Sequence, residues 1–140
     1  MMLSTVRLAC AILAVGMSGC GSGVKTVRAW GDVTWQRVPV KDGVIVFFPI
    51  EGTAGPSTGG EIVAGRYDVP AAKGPRAGGT YRVEITASGT VRLYSPDVGA
   101  AAPAVPVREQ IIPRRFNIET SLRADVRDDP DGHRQDFLLE

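Results

Sequence analysis

The stretch TYRVEITA, residues 80–87, alternates strictly between apolar and polar side chains. Tyr81, Val83 and Ile85 fall on one face of an extended chain, whereas positions 82, 84 and 86 are polar. This period of two residues is typical of a β-strand with one face buried and the other in water. The stretch SLRADV, residues 121–126, repeats the pattern with Leu122 and Ala124 on its apolar face. Strand structure is therefore predicted in both halves of the chain.

The rest of the chain is consistent with an all-β fold. VIVFFP, residues 44–49, is a continuous β-branched and aromatic run that predicts a strand covered on both faces. The turn signals are Asp42-Gly43, Gly65 and Asp131-Gly132, and the segments 51–60 and 95–107 are predicted to be irregular. No stretch of helical length carries a 3.6-residue apolar period between its breakers, among which are 17 glycines and 10 prolines. We predict one antiparallel β-sandwich of about seven short strands.

The N-terminus has the order of an export signal. The charged Arg7 precedes an apolar run at residues 8–15, and small residues follow. The run is shorter than the roughly 20 residues that a permanent transmembrane helix requires, which makes such an anchor the poorer interpretation. We predict a signal peptide over residues 1–19, a tether over residues 20–26 and the β-sandwich over residues 27–140.

The residues that follow this run, Met17, Ser18, Gly19 and Cys20, resemble the lipobox of bacterial lipoproteins. The resemblance implies cleavage before Cys20 and acylation of its thiol, with Met17 standing where leucine is commoner. Two or three acyl chains hold a protein stably at a membrane. Cys10, inside the apolar run, is expected to be removed with the signal. The alternative is ordinary secretion with a free Cys20.

The resemblance also bears on location. Gly21 is not the aspartate that commonly retains lipoproteins at the inner membrane. This favours the outer membrane, with the domain facing the periplasm or the cell surface.

The charge balance argues against nucleic-acid binding. The chain has 16 Lys and Arg against 15 Asp and Glu, and removal of the signal with Arg7 makes the remainder formally neutral. No basic stripe with interleaved aromatic residues is present.

Several segments resemble the carboxypeptidase regulatory-like domain found in many small bacterial lipoproteins. They are GDVTWQRVPVKDGVIVFFP (31–49), GGEIVAGRYDVP (59–70), GPRAGGTYRVEITA (74–87), IIPRRFN (111–117) and TSLRADV (120–126). The resemblance covers roughly residues 27–139 and implies a transthyretin-like β-sandwich in which Tyr67 and Tyr81 pack between sheets. It departs at residues 35–37, where a short Asp-Gly-like turn is commoner. It implies no catalytic residue.

The inventory of reactive side chains predicts no enzyme activity and no cofactor. His133 is the only histidine, and it is expected to be exposed in a turn rather than catalytic. A transthyretin-related hydrolase would require more than one active-site histidine and a C-terminal Tyr-Arg-Gly-Ser signature, whereas this chain ends in FLLE.

Two sets of residues are weak candidates for ligand binding. Asp128, Asp129 and Asp131 could form a loose calcium site, although Pro130 and the lack of a closing glutamate break the EF-hand spacing. Trp30 and Trp35 could stack on a sugar if exposed, but in a regular strand they point to opposite faces. The sequence therefore favours a lipid-anchored, non-catalytic module that interacts with an envelope protein or has a structural role. The alternative is a module that binds a carbohydrate or another small ligand.

Overall fold

The computed structural model describes residues 23–93 and 105–140, and the secondary structure over these ranges is almost entirely β. The strands are β1 (Ala29–Trp35), β2 (Val38–Pro39), β3 (Asp42–Ile50), β4 (Thr58–Val63), β5 (Arg66–Val69), β6 (Thr80–Leu93), β7 (Val105–Gln110), β8 (Arg123–Asp125), β9 (His133–Arg134) and β10 (Phe137–Leu139). Two single 3₁₀ turns, at Ala71–Lys73 and Arg114–Phe116, complete the regular structure of these ranges. The predicted all-β class is confirmed.

The strands form one curled sheet with the order β10-β1-β5-β4-β3-β6-β7. Most neighbours are antiparallel, as predicted, but β1 pairs in parallel with both β9 and β10. The short strand β8 pairs with the first residues of β6, on the side that β7 occupies further along. The curl closes the sheet over itself, so that the structure is a sandwich.

Aromatic rings join the two sides of the sandwich. Phe47 on β3 lies 6.1 Å from Tyr67 on β5 and 6.3 Å from Tyr81 on β6, measured between ring centroids. Tyr67 also lies 6.0 Å from Phe137 on β10. The alternation in residues 80–87 is confirmed, because Tyr81, Val83 and Ile85 are all buried. Centroid spacings of this size are those at which aromatic pairs attract one another beyond their buried area.

The turn predictions have mixed outcomes. Gly65, with φ +80°, reverses the chain between β4 and β5 as predicted, and Gly132, with φ +95°, precedes β9. Asp42-Gly43 is not a hairpin turn, because both residues begin β3. Gly43 is needed there for close strand packing, since a Cβ would lie 2.5 Å from the Thr86 carbonyl oxygen.

The hairpin that sequence reasoning missed joins β1 to β2 through Gln36 and Arg37. Both residues have positive φ, at 50° and 66°, which is the backbone of a two-residue type I′ turn. The turn that the family resemblance leads one to expect is therefore present, although neither residue is a glycine.

Strand β3 also differs from its prediction. Ile45 and Phe47 are fully buried, but Val44 on the opposite face is 43% exposed. The strand therefore has one core face and one partly exposed face, and it continues past Pro49 to Ile50. Of the two segments predicted to be irregular, residues 58–60 belong to β4 and residues 105–107 to β7.

Candidate functional site

The predicted lipid-attachment residues, Met17, Ser18, Gly19 and Cys20, lie outside the described residues. The first described residues show where the chain enters the domain. Thr26 forms an isolated bridge with Arg76, and the Thr26 hydroxyl donates to the Ala71 carbonyl at 2.6 Å. The first described residues therefore join the sandwich at the end where β6 begins.

The two tryptophans point to opposite faces of β1, as predicted. On the outer face, the guanidinium groups of Arg28 and Arg134 lie 5.5 and 4.9 Å from the centre of the Trp30 ring. Arg28 also pairs with Asp68 at 2.5 Å. Since a sugar would have to displace charged groups already held against this ring, the geometry does not favour Trp30 as a stacking platform.

His133 is buried, and the prediction of an exposed turn histidine is wrong. Only 8% of the residue is exposed, because it begins β9 and its backbone N–H donates to the Arg28 carbonyl at 2.7 Å. The ring Nδ1 accepts from the Arg127 N–H, and Nε2 lies 3.0 Å from Gln135 Oε1. Nδ1 is therefore the acceptor, and Nε2–H donates to Gln135. This residue is a structural part of the fold.

The acidic turn holds its carboxylates in local contacts. Asp128 pairs with Lys25, and Asp129 Oδ1 accepts from the Asp131 N–H at 2.9 Å. Over residues 23–93 and 105–140, no group of three or more His, Cys, Asp and Glu side chains is arranged to hold a metal ion. The calcium hypothesis for Asp128, Asp129 and Asp131 gains no support from this geometry.

The parallel pairing with β1 is interrupted between β9 and β10, at Gln135 and Asp136. Polar side chains complete the hydrogen bonding there, and we call this segment the polar break. The Asp32 N–H donates to the Asp136 carboxylate at 2.9 Å, and the Gln135 carbonyl accepts from the Tyr67 hydroxyl at 2.8 Å. Gly31 lies directly beneath this carbonyl, where a Cβ would be 2.0 Å from the Gln135 oxygen. Burial, followed by the nearby charge of Asp136, raises the pKa of Tyr67, so the hydroxyl stays protonated and donates.

Acid should weaken the hydrogen bonding at the polar break, because one of its acceptors is the Asp136 carboxylate. The hydrogen bond from the Asp32 N–H, assisted by Arg134, lowers the pKa of Asp136 below its ordinary value. A carboxyl group whose pKa is lower in the folded protein stabilises the fold at pH values above its unfolded-state pKa. That stabilisation is lost as the pH falls through the pKa of the folded state. We expect the melting temperature of Asp136→Asn to depend less on pH below about pH 4 than that of the parent. Melting curves from pH 6 to 2 would measure this. Glu61→Gln, at an exposed carboxylate, is the control; equal slopes for Asp136→Asn and the parent would contradict the assignment.

The strongest candidate for a functional surface is a cleft of about 440 Å³ between the β1–β2 hairpin and the β6–β7 pair. Its apolar wall is open to solvent, because Val38 is 60% exposed and Ile111 is 40% exposed. Trp35 is one of the lining residues and packs edge-on against Phe116, with ring centroids 5.8 Å apart. We call this the ribbon cleft; its lining is Trp35, Val38, Pro39, Val40, Lys41, Asp42, Ser88, Gly89, Thr90, Arg108 and Ile111.

One wall of the ribbon cleft is a two-stranded β-ribbon, defined as residues 88–93 of β6 together with β7. Strand β3 pairs with β6 only from Thr80 to Ala87, so the remainder of β6 has β7 as its single described neighbour. Gly89 allows the Ile111 side chain to lie across the ribbon, since a Cβ there would be 2.6 Å from Ile111 Cγ2. The ribbon thus continues the sandwich beyond its closed core and leaves apolar side chains in contact with solvent.

Sequence reasoning identified Trp35 but missed the rest of this cleft. One signal was available. Ile111 and Ile112 are adjacent, and in an extended chain adjacent side chains point to opposite faces, so one of the pair was bound to lie off the core. Ile112 is the buried member, at 2% exposure.

Within the described ranges, no helix is long and apolar enough to cross a membrane. Comparison of the chain with protein-family models, with curated proteins and with solved structures finds no match. The family resemblances drawn from the sequence therefore remain predictions.

Proposed function

We propose that the protein is a lipid-anchored component of the bacterial cell envelope whose non-catalytic β-sandwich binds a protein partner. In this proposal the signal peptide is removed, Cys20 carries the acyl chains, and the domain faces the periplasm or the cell surface. The observation that carries the binding role is the ribbon cleft, where apolar side chains are open to solvent beside β7, whose outer edge has no partner among the described strands. Exposed apolar surface rimmed by polar residues is typical of interaction sites.

The position of the tether supports this role. Thr26 bridges Arg76 at the end of the domain where β6 starts, whereas the β-ribbon lies at the far end of the same strand. A strand of 14 residues is roughly 40 Å long. A domain held through Cys20 would therefore keep its anchored end near the membrane and present the ribbon cleft away from it.

The anchor is tested by Cys20→Ala. We expect this variant to lose all labelling by a radioactive or clickable fatty acid and to move from the membrane fraction to the soluble fraction, because the only thiol that the lipobox resemblance designates is gone. Cys10→Ala is the matched control and should behave like the parent. Continued membrane association of Cys20→Ala would contradict the proposal.

A further inference from the structure

Strand β7 has an outer edge of six residues with no partner among the described strands, and its bonding pattern shows which backbone groups are available. The Ile111 N–H donates to the Ala87 carbonyl at 2.9 Å. Because hydrogen-bonded pairs alternate along an antiparallel ladder, the odd-numbered residues of β7 bond to β6, and the even-numbered residues direct their groups outward. The outward donors are therefore the N–H groups of Arg108 and Gln110, since Pro106 has none.

Building on the proposed function, we propose that β7 binds an extended segment of a partner protein as an additional strand, with apolar side chains of that segment lying in the ribbon cleft. Addition of a strand to a free sheet edge gains affinity from main-chain hydrogen bonds and specificity from pockets for alternate side chains. Here the bonds come from Arg108 and Gln110, and the apolar pocket comes from Val38 and Ile111.

A second copy of the chain fits this edge poorly in the symmetric registers centred on Val107, Arg108 and Glu109. A symmetric antiparallel pairing centred on Arg108 places two guanidinium groups opposite each other, and one centred on Glu109 does the same with two carboxylates. Like charges directly opposite on paired strands are destabilising. In a pairing centred on Val107, Pro106 would belong to each hydrogen-bonded pair, and proline has no N–H to donate. These three registers are therefore unfavourable for self-association, which favours a different chain as the occupant of the edge.

The charges of the ribbon cleft indicate the chemistry of the partner segment. Lys41 and Arg108 line the cleft, and the Arg115 guanidinium lies 6.0 Å from the centre of the Trp35 ring. Lys41 and Arg108 form no ion pair within residues 23–93 and 105–140. Asp42 is the single acidic residue in the lining. A segment that alternates apolar and acidic side chains matches this balance.

The experiment uses the full-length lipoprotein in detergent and synthetic decapeptides as probes. One peptide alternates valine with glutamate, a second alternates valine with lysine, and a third is the Val-Glu peptide with alternate amides N-methylated. We expect the Val-Glu peptide to bind about 5- to 10-fold more tightly than the Val-Lys peptide, since several weak surface charge contacts change sign. Amide exchange at Arg108 and Gln110 should slow with both peptides that keep their N–H groups, more strongly with the Val-Glu peptide at equal concentration, and should not slow with the N-methylated peptide.

Charge-reversed variants sharpen the test. Arg108→Glu should abolish the preference for the Val-Glu peptide, whereas Lys73→Glu, an exposed cation in the turn at the tether end, should leave it unchanged. Three results would each overturn strand addition: equal binding of all three peptides, slowed exchange at β10 in place of β7, or a change in Trp35 fluorescence without slowed exchange. The last result would indicate a small ligand or a glycan. None of these results bears on the anchor, which the behaviour of Cys20→Ala decides separately.

Discussion

We expect Gly31→Ala to be among the most destabilising single substitutions in the domain, lowering the free energy of unfolding by about 3 kcal/mol. The added Cβ would lie 2.0 Å from the Gln135 carbonyl oxygen and 2.7 Å from its carbon. Both are backbone atoms, so no side-chain rotation relieves the clash. Strand β1 would have to separate from the β9–β10 segment at the point where Tyr67 and Asp136 complete the hydrogen bonding.

Urea unfolding of the parent and the variant would measure this effect. Gly23→Ala is a suitable control, because a Cβ at Gly23 meets nothing within 4 Å. We expect the control to change the free energy of unfolding by less than about 0.5 kcal/mol, as surface substitutions usually do. A Gly31→Ala protein as stable as the control would mean that the Gln135 carbonyl does not approach β1 as closely as described.

The sequence contains enough information to predict the strand content of this fold, because one face of each main strand is apolar. The alternation around Tyr81 and Val83 needs no knowledge of distant residues, and both side chains are buried. The reversal at Gly65 is equally local, since φ of +80° is a property of the backbone at that residue.

The parallel pairing of β1 with β9 and β10 could not be predicted in the same way. It joins Ala29 to His133 and Val33 to Phe137, residues separated by about a hundred positions, and no local pattern records such a contact. The burial of His133 follows from this pairing. A histidine beside a glycine in a polar stretch looks exposed until the strand that covers it is known.

The hairpin at Gln36-Arg37 was missed for a different reason. Two-residue hairpin turns favour glycine or asparagine because φ is positive at both central residues, and the sequence offered Asp42-Gly43 a few residues later. The paired residues Trp35 and Val38 fix the turn instead, so that strand pairing overrides the local preference. The ribbon cleft was hidden by the same limitation, because its walls come from β2, β6 and β7 and meet only in the folded chain.

The second large effect is expected at Tyr67, whose side chain is 2% exposed and touches aromatic rings on both sides. Tyr67→Ala removes the ring that lies between Phe47 and Phe137 and leaves the Gln135 carbonyl without the hydroxyl that donates to it. We expect a loss of about 3 to 5 kcal/mol, in the range measured for truncation of buried aromatic residues. Denaturant unfolding, followed by tryptophan fluorescence, would measure it.

Tyr67→Phe separates the contribution of the hydroxyl from that of the ring. It keeps the aromatic contacts, and we expect a loss of about 1 to 2 kcal/mol from the unsatisfied carbonyl alone.

Because Gly31 and Tyr67 act on the same Gln135 carbonyl, the double variant Gly31→Ala/Tyr67→Phe should be less destabilised than the two single effects added together, since the clash already displaces the acceptor. Tyr81→Phe supplies the comparison, because its hydroxyl accepts from the Arg76 N–H, at a distance from this break, and its effect should add to that of Gly31→Ala. If the effects of Tyr67→Phe and Tyr81→Phe both add to that of Gly31→Ala, the polar break is not a single cooperative unit. The stability of the β1–β10 pairing would then have to come from the apolar contacts of Val33 and Phe137.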